Sequence, residues 1–576
     1  MNQPRYSVIV DYDVEMQTRD GVTLRSNIYR PATEGQFPAI LIRTPYDKSS
    51  ARFEKNTIPS IRPVDAASHG FAYVAQDVRG RFASEGKNEP PSTGGEGRDG
   101  YDAVEWVAAQ SWCNGRVGMI GGSFASITQW MAAMECPPSL RAIVPERTGG
   151  PNTGLFGAMQ LDSTVIGWLA GQALNSITKR IAAGEATQED LATARQAFLN
   201  PQAAAKHLPL DALPFLKAAG LPPFAEQIEE FLHNMADLDA SKIKVPALIT
   251  SGWYDMTPGD AAEMFANMRE SGGSDAARQG TRIFIGPWQH TGLGPHLGEK
   301  FFGNHASAEA GGLPGAQLKF LSRWLRDEED DLPVATYFVM GINEWRQAES
   351  WPPPGTKLEK LFLTSGGKAN SRNGDGSLSW DQVGQEGCDS YLYDPHDPVP
   401  SFGGRFYELG GSIPGPFEQQ PIEKRQDVLV YTSEPVSGEP MEIAGPVRLA
   451  IKASSSAVDT DFMAKLCDVD EAGNSYNIAD GFVRCRWRNG TDQLSWLITG
   501  EITEMEIDLG VVAHAFLPGH RLRLQLTSSC FPAWDRNMNT GNPLGSDAVG
   551  IVAEQRIHHG GIHNSCLILP VQPGKN

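Results

Sequence analysis

Apolar residues in the first part of the chain fall in short continuous runs rather than in alternation. PAILIRTPY (38–46), FAYVAQDVRG (71–80) and VGMIGG (117–122) are each bounded by glycine or proline. Such runs fit strands buried on both faces, as in a parallel sheet. The segment VTLRSNIYRP after the turn Asp20-Gly21 adds a further short strand. Between the second and third runs, GYDAVEWVAAQ (100–110) places Tyr101, Val104, Val107 and Ala108 on one helical face. A second helix follows VGMIGG, with Phe124, Ile127, Met131 and Met134 as its expected inner face, and Pro137-Pro138 stops it. Strand–helix alternation of this kind predicts an α/β architecture.

From about residue 151 to 240 the pattern becomes Ala/Leu-rich with helical spacing and no strand-like run, as in ALNSITKRIAAG, QEDLATARQAFLN and FAEQIEEFLHNMADL. Buried strands return with VPALITSGWYD (245–255) and TRIFIGPWQH (281–290), and LKFLSRWLRDE (318–328) gives a last helix. After WPPPG (351–355) helical periodicity disappears. GPVRLAIKASSS, WLITGEITEMEID and HRLRLQLTSS alternate with period two. The predicted organisation is an α/β core in two halves (1–150 and 241–350), a helical cap between them (151–240), and a C-terminal two-sheet β jelly roll (351–576).

Composition narrows the function. The 576 residues carry 49 Lys+Arg against 69 Asp+Glu, a formal charge of −20, which argues against a phosphate-tracking nucleic-acid binder. No apolar run approaches the roughly 18–20 residues of a membrane span. The N-terminal MNQPRYSVIVDYDVEMQTRDG has acids where a secretory leader has a basic start and an apolar core. Seven cysteines are scattered and never form a CxxC pair. The expectation is reduced thiols in the cytoplasm, with neither a disulfide framework nor a zinc site.

The chemistry concentrates at Val117-Gly118-Met119-Ile120-Gly121-Gly122-Ser123-Phe124-Ala125. A buried strand running through Gly-Gly-Ser straight into a helix is the setting of a nucleophile elbow, where a sharp turn lifts a serine above the sheet. The usual Gly-x-Ser-x-Gly ends here in Ala125, which is still small. A serine needs a base, and the base needs an orienting group. Two later core strands end suitably, ALITSGWYD in Asp255 and FIGPWQH in His290, in the order Ser, acid, His of α/β-hydrolases.

The motifs MQTRDGVTLRSNIYRP, RTPYDK, QDVRGRFASEG, the serine elbow, SGWYD, GPWQH, MGINEWR and SSCFPAWDRNMNTG together resemble the cocaine esterase and X-prolyl dipeptidyl aminopeptidase family of serine hydrolases. The likeness spans nearly the whole chain. It implies an α/β-hydrolase core with an inserted cap and a C-terminal jelly roll, and a triad of Ser123, Asp255 and His290. It further implies that Tyr46 and the backbone N–H of Phe124 form the oxyanion hole.

Other features carry structural readings. Arg79 and Arg81 fit a salt-bridged turn, and Arg484, Arg486 and Arg488 alternate as on a solvated strand face. His558, His559 and His563 lack partner acids or cysteines at ligand spacing, so no metal and no cofactor is expected. Trp130, Trp168, Trp253 and Trp288 suit core packing. The leading reading is a serine esterase working through an acyl-enzyme, with a small-molecule ester or amide as substrate. No nucleic acid or membrane partner is expected, and a homo-oligomer is allowed. The alternative keeps the triad and cleaves X-prolyl amides or amino-esters. That chemistry needs an acid for the substrate ammonium, and the cap offers Asp162, Glu185, Glu189, Asp190, Glu226, Glu229 and Glu230. A third reading, a carbohydrate-binding scaffold on a decayed core, is disfavoured by the complete Ser–Asp–His set.

Overall fold

The computed structural model describes residues 6–50, 60–87, 95–147, 162–224, 226, 238–256, 258–406, 413–490 and 493–574. The first part of the chain contributes β1 (Val8–Gln17), β2 (Thr23–Pro31), β3 (Phe37–Thr44), α1 (Pro63–Ser68), β4 (Ala72–Asp77), α2 (Gly95–Ala108), β5 (Cys113–Gly122), α3 (Phe124–Met134) and β6 (Leu140–Glu146). Helices α4 (Asp162–Ala182), α5 (Gln188–Leu199), α6 (Pro201–Ala205) and α7 (Pro214–Ala219) come next. Then follow β7 (Leu248–Tyr254), α8 (Pro258–Ser271), α9 (Asp275–Gly280), β8 (Arg282–Gln289), the small hairpin β9 (His296–Leu297) and β10 (Lys300–Phe301), α10 (Leu313–Arg326), β11 (Ala335–Val339) and β12 (Glu344–Ala348).

Ten of these strands form one sheet in the order β1-β2-β4-β3-β5-β6-β7-β8-β11-β12. From β4 to β11 every pairing is parallel. Both faces are covered, which is why the strands read as continuous apolar runs. Alternate residues of β3 show it: Ala39 and Leu41 pack with α2, α3 and α8, whereas Ile40 and Ile42 pack with α1 and α10.

Helix α3 turns a different face inward from the one its large apolar residues suggested. Phe124 is buried as expected and so are Ala125, Thr128, Gln129, Trp130, Ala132 and Ala133, whereas Ile127, Met131 and Met134 are only half-buried. The cause is close approach to α2: a Cβ at Gly100 would lie 2.6 Å from the Ala132 Cβ. Small residues therefore take the tightest face, and bulk is a poor guide to burial there.

The cap helices pack through an apolar cluster, including Ile166, Ala170, Ala173, Ile177, Phe215 and Leu216, that continues into Met256 and the C-terminal residues Phe406, Met463 and Trp534. Most of the expected helix FAEQIEEFLHNMADL lies outside the described residues. Among the described residues, no helix is long and apolar enough to cross a membrane.

From residue 357 onward the chain builds β13 (Lys357–Thr364), β14 (Ser377–Ser379), β15 (Gly387–Tyr393), one helical turn α11 (Gln420–Glu423), β16 (Leu429–Ser433), β17 (Met441–Ser455), β18 (Asp461–Val469), β19 (Ser475–Arg484), β20 (Thr503–Phe516), β21 (Arg521–Thr527), β22 (Ala553–His559) and β23 (Cys566–Val571). The pairings close a ring from β17 through β20, β19, β18, β21, β16, β14, β13 and β23 back to β17, with β22 and β15 attached. The β19–β20 seam has one residue pair, Phe482 with Asp508, and the β14–β16 seam has two. The jelly roll is thus two sheets closed into a barrel at thin corners.

The barrel is joined firmly to the first sheet. Met340, just past β11, donates its N–H to Ala513 (3.1 Å) and accepts from the Ala515 N–H (2.8 Å) on β20. One apolar cluster runs from the α2/α3/α8 face of the sheet into the barrel interior.

One sequence reading in the barrel is corrected. Arg484 and Arg486 are buried rather than solvated: Arg484 pairs with Asp461 (2.9 Å) and Asp535 (3.0 Å), and Arg486 with Asp459 (2.7 Å). Residues Cys485–Trp487 form a 3₁₀ turn, so the three arginines do not continue one strand face. His559 pairs with an acid far away in the sequence, Asp389 at 3.1 Å, and both lie on Ser365 in a structural cluster.

Candidate active site

The elbow forms where β5 gives way to α3. Ser123 has φ 59° and ψ −129°, a conformation that costs a non-glycine residue about 1–3 kcal/mol. Its surroundings impose that shape. The Ser123 N–H donates to the Glu146 carbonyl at 3.0 Å, and its own carbonyl accepts from the Ser126 N–H at 2.8 Å and Oγ at 2.7 Å. Gly121 sits at φ +141°, and a Cβ there would come 2.8 Å from the Ala125 Cβ and 3.0 Å from Ile42. Ala125 fits in place of the usual glycine because position 121 is bare. The first N–H groups of α3, Phe124 foremost, lack intrahelical acceptors and make the elbow electropositive.

Glu146, at the end of β6, supports this turn from below and was not picked out from the sequence. It is fully buried and accepts from the Ser60 Oγ (2.6 Å), Gln317 Nε2 (3.0 Å) and Arg147 Nη2 (2.8 Å). An acid closing the mainly apolar strand LRAIVPE was its sequence signal.

Tyr46 follows β3 and brings its hydroxyl to 3.2 Å from the Ser123 Oγ. Asp77 at the end of β4 ties the Tyr46 loop to the loop behind it. Its carboxylate accepts from the Lys48 N–H (2.8 Å), the Lys48 ammonium (3.3 Å) and the Ala83 N–H (3.2 Å). Burial pushes the Asp77 carboxyl up, against the opposing pull of Lys48.

Arg79 pairs with Asp20 and Asp99 in the salt-bridged turn expected of it. Arg81 differs, since it is buried and reaches the Gln172 carbonyl and side-chain oxygen on cap helix α4. Burial pulls its guanidinium down to about 10, and Tyr46 and Asp77 act against that pull. Lys179 of the same helix donates to the Gly80 carbonyl at 2.8 Å. The cap is thereby docked beside the Tyr46 loop.

Asp255 and His290 stand immediately past β7 and β8, both buried, with His290 Nδ1 2.7 Å from Asp255 Oδ1. The Met256 N–H also donates to Oδ1 at 2.6 Å. An acid on Nδ1 leaves Nε2 on the far edge of the ring. Ser123, Asp255 and His290 lie at the carboxyl ends of the parallel strands β5, β7 and β8, on one rim of the sheet, the usual location for sites in open α/β sheets.

The structure therefore brings the predicted residues together as two contacting pairs on one rim, Tyr46 with Ser123 and Asp255 with His290. An imidazole held this way can accept a proton at Nε2, and a strained serine beside a phenol and a helix N-terminus can attack a carbonyl. Trp130, Trp253 and Trp288 are core residues, and Trp168 packs against the cap cluster. Of the cap acids, Glu185, Glu189 and Glu226 are exposed, and Asp190 closes the N-terminal capping box of α5 with Thr187. Glu229, Glu230 and the side chain of Asp162 lie outside the described residues.

Residues 20–292 match the X-Pro dipeptidyl-peptidase (S15 family) model, and residues 328–568 match the X-Pro dipeptidyl-peptidase C-terminal non-catalytic domain. The chain is 38% identical to a cocaine esterase of Rhodococcus sp., covering 98% of this chain and 99% of that one. Among solved structures, an α-amino acid ester hydrolase aligns with TM-score 0.78 and 26% identity over 99% of this chain and 97% of its own. An aminopeptidase from a marine sediment Thaumarchaeota archaeon shares the fold, with TM-score 0.76, 23% identity and the same coverage. With this full-length identity and both domain matches, the protein belongs to the cocaine esterase and X-Pro dipeptidyl-peptidase family of serine hydrolases, built on an α/β-hydrolase core.

Proposed function

We propose that the protein hydrolyses carboxylic esters of small organic substrates through an acyl-enzyme on Ser123. His290 Nε2 takes the hydroxyl proton as Ser123 Oγ bonds to the acyl carbon, while Asp255 holds the Nδ1–H and so fixes the tautomer. The carbonyl oxygen, now negative, receives hydrogen bonds from the Tyr46 hydroxyl and the Phe124 N–H. Collapse of this intermediate breaks the bond to the alcohol, which leaves with the proton from His290. Water, deprotonated by the same imidazole, then attacks the acyl carbon, frees Ser123 and releases the acid.

The observation that carries this reading is the strained Ser123, with its hydroxyl beside Tyr46, on the rim that also holds the Asp255–His290 pair. The seven unbridged cysteines support a reducing, cytoplasmic setting. Replacing Tyr46 by Phe is expected to lower kcat by roughly 10²–10³-fold with little change in KM, since the donor acts on charge that develops in the transition state. A rise in KM alone would make Tyr46 a binding residue instead.

Ester rather than amino-substrate specificity is supported by the outward orientation of Glu185, Glu189 and Glu226. A buried acid awaiting a substrate ammonium would be costly to leave unpaired. The test compares kcat/KM for a free aminoacyl ester and its N-acetylated counterpart. Similar values are expected. A preference above roughly 10²-fold for the free amine, about 2.7 kcal/mol, would overturn the plain esterase in favour of an amino-ester hydrolase or X-prolyl dipeptidyl peptidase.

A further inference from the structure

Asp255 is held locally rather than by the sheet ladder: its N–H donates to the Gly252 carbonyl at 3.0 Å and its Oδ1 accepts the Met256 N–H at 2.6 Å. The β7–β8 ladder loses register between Gly252 and Tyr254. At that point a Cβ on Gly252 would lie 2.2 Å from the Trp288 carbonyl, so β8 presses directly on the strand end. Ser251 Oγ is 3.5 Å from Asp255 Oδ2, at the limit of a hydrogen bond. The direction of the carboxylate thus depends on what fixes the backbone of residues 253–256.

The barrel supplies that restraint. Arg405 Nε donates to the Trp253 carbonyl at 3.0 Å, and its two Nη groups donate to the Leu509 carbonyl and, at 2.9 Å, to the Val511 carbonyl of β20. Gly510 between them makes the room, since a Cβ there would collide with Arg405 Nη1. Asp480 of β19 backs the guanidinium, accepting the Arg405 N–H at 3.3 Å with its other oxygen 3.9 Å from Nε. The next residue, Tyr254, is buried and donates its hydroxyl to the Asn477 carbonyl of β19 at 2.9 Å. Past Asp255, Met256 packs in a cluster with Phe406, Met463, Phe531 and Trp534 of the barrel.

We propose that Arg405 and Tyr254 form a clamp by which the C-terminal barrel positions Asp255 against His290. Both are positioning residues, and the barrel is a working part of the active site. Burying a guanidinium with a carboxylate is expensive, because burial lowers the one's hold on its proton and raises the other's. Three carbonyls converging on Arg405 offset that cost and lock the geometry. Small errors in the placement of a catalytic group cost rate rather than binding.

The proposal rests on Asp255 being the triad acid, so Asp255→Asn serves as the control. The full-length protein is compared with Tyr254→Phe, which removes one hydroxyl, and with Arg405→Met/Asp480→Asn, which removes both buried charges together. The readouts are kcat and KM on an aryl ester and the low-field proton resonance of the His290 Nδ1–H bonded to Asp255. The double variant is expected to lose about 10–100-fold in kcat with KM nearly unchanged, and Tyr254→Phe about 3–10-fold, each with a weakened resonance. Folded variants with wild-type kcat and an intact resonance would overturn the clamp, and Tyr254→Phe decides the matter if the double variant does not fold. A purely structural role would lower Tm and leave both readouts intact. Wild-type kcat in Asp255→Asn would instead overturn the triad reading itself.

Discussion

Ser123→Ala is expected to abolish ester turnover, with losses on the order of 10⁴-fold or more, and to leave the fold intact. Triad members act as a unit, so removing the nucleophile leaves only what binding and the oxyanion hole contribute. The change deletes one oxygen and introduces no new volume. The strained backbone is held by the Glu146 carbonyl and by Ser126, neither of which uses the Ser123 side chain. Steady-state kinetics on an aryl ester, with substrate affinity measured separately, checks this. Activity within tenfold of wild type would remove Ser123 from the mechanism.

Asp255→Asn is the second large effect, with an expected fall of about 10⁴-fold in kcat. Asp255 Oδ1 accepts from both His290 Nδ1 and the Met256 N–H. An asparagine has one group to place there: its neutral carbonyl accepts more weakly and does little to stabilise the imidazolium, whereas its NH₂ turned there gives up the Met256 N–H and favours the tautomer that cannot accept the serine proton. KM should change far less than kcat. A loss confined to KM would show that Asp255 shapes binding rather than the state of the imidazole.

The parts of the site legible in the sequence are those marked by local pattern. Ser123, Asp255 and His290 each follow a strand whose last six residues are buried, and such strand ends announce themselves as largely apolar runs closing on a polar residue. Tyr46 followed from the family resemblance and from its place after β3. What supports these residues was not legible in the same way. Glu146 and Asp77 end strands as inconspicuously as any acid, and their roles depend on partners, Ser60, Gln317 and Ala83, brought in by other loops. Arg405 sits in a glycine-rich loop 150 residues beyond Asp255, and nothing periodic links it to Trp253.

The fold divides along the same line. The buried strands and the alternating strands of the barrel were readable, because each follows from a single element's environment. The inner face of α3 was read only in part: Phe124 is buried, but close packing on α2 puts Thr128, Gln129 and Ala132 inward in place of Ile127, Met131 and Met134. Arg484 and Arg486 looked solvated because the aspartates that neutralise them, Asp461, Asp535 and Asp459, come from separate segments of the barrel. Long-range pairing of charge leaves no local trace in a sequence.

The most direct test of Ser123 as an activated nucleophile is its reaction with an aryl organophosphonate, followed by mass spectrometry of the labelled peptide. The account predicts a single phosphonyl adduct on Ser123, formed in step with loss of esterase activity. The adduct should be absent from Ser123→Ala and formed far more slowly in Asp255→Asn. A native protein that stays unlabelled while hydrolysing esters, or an adduct on any other residue, would contradict it.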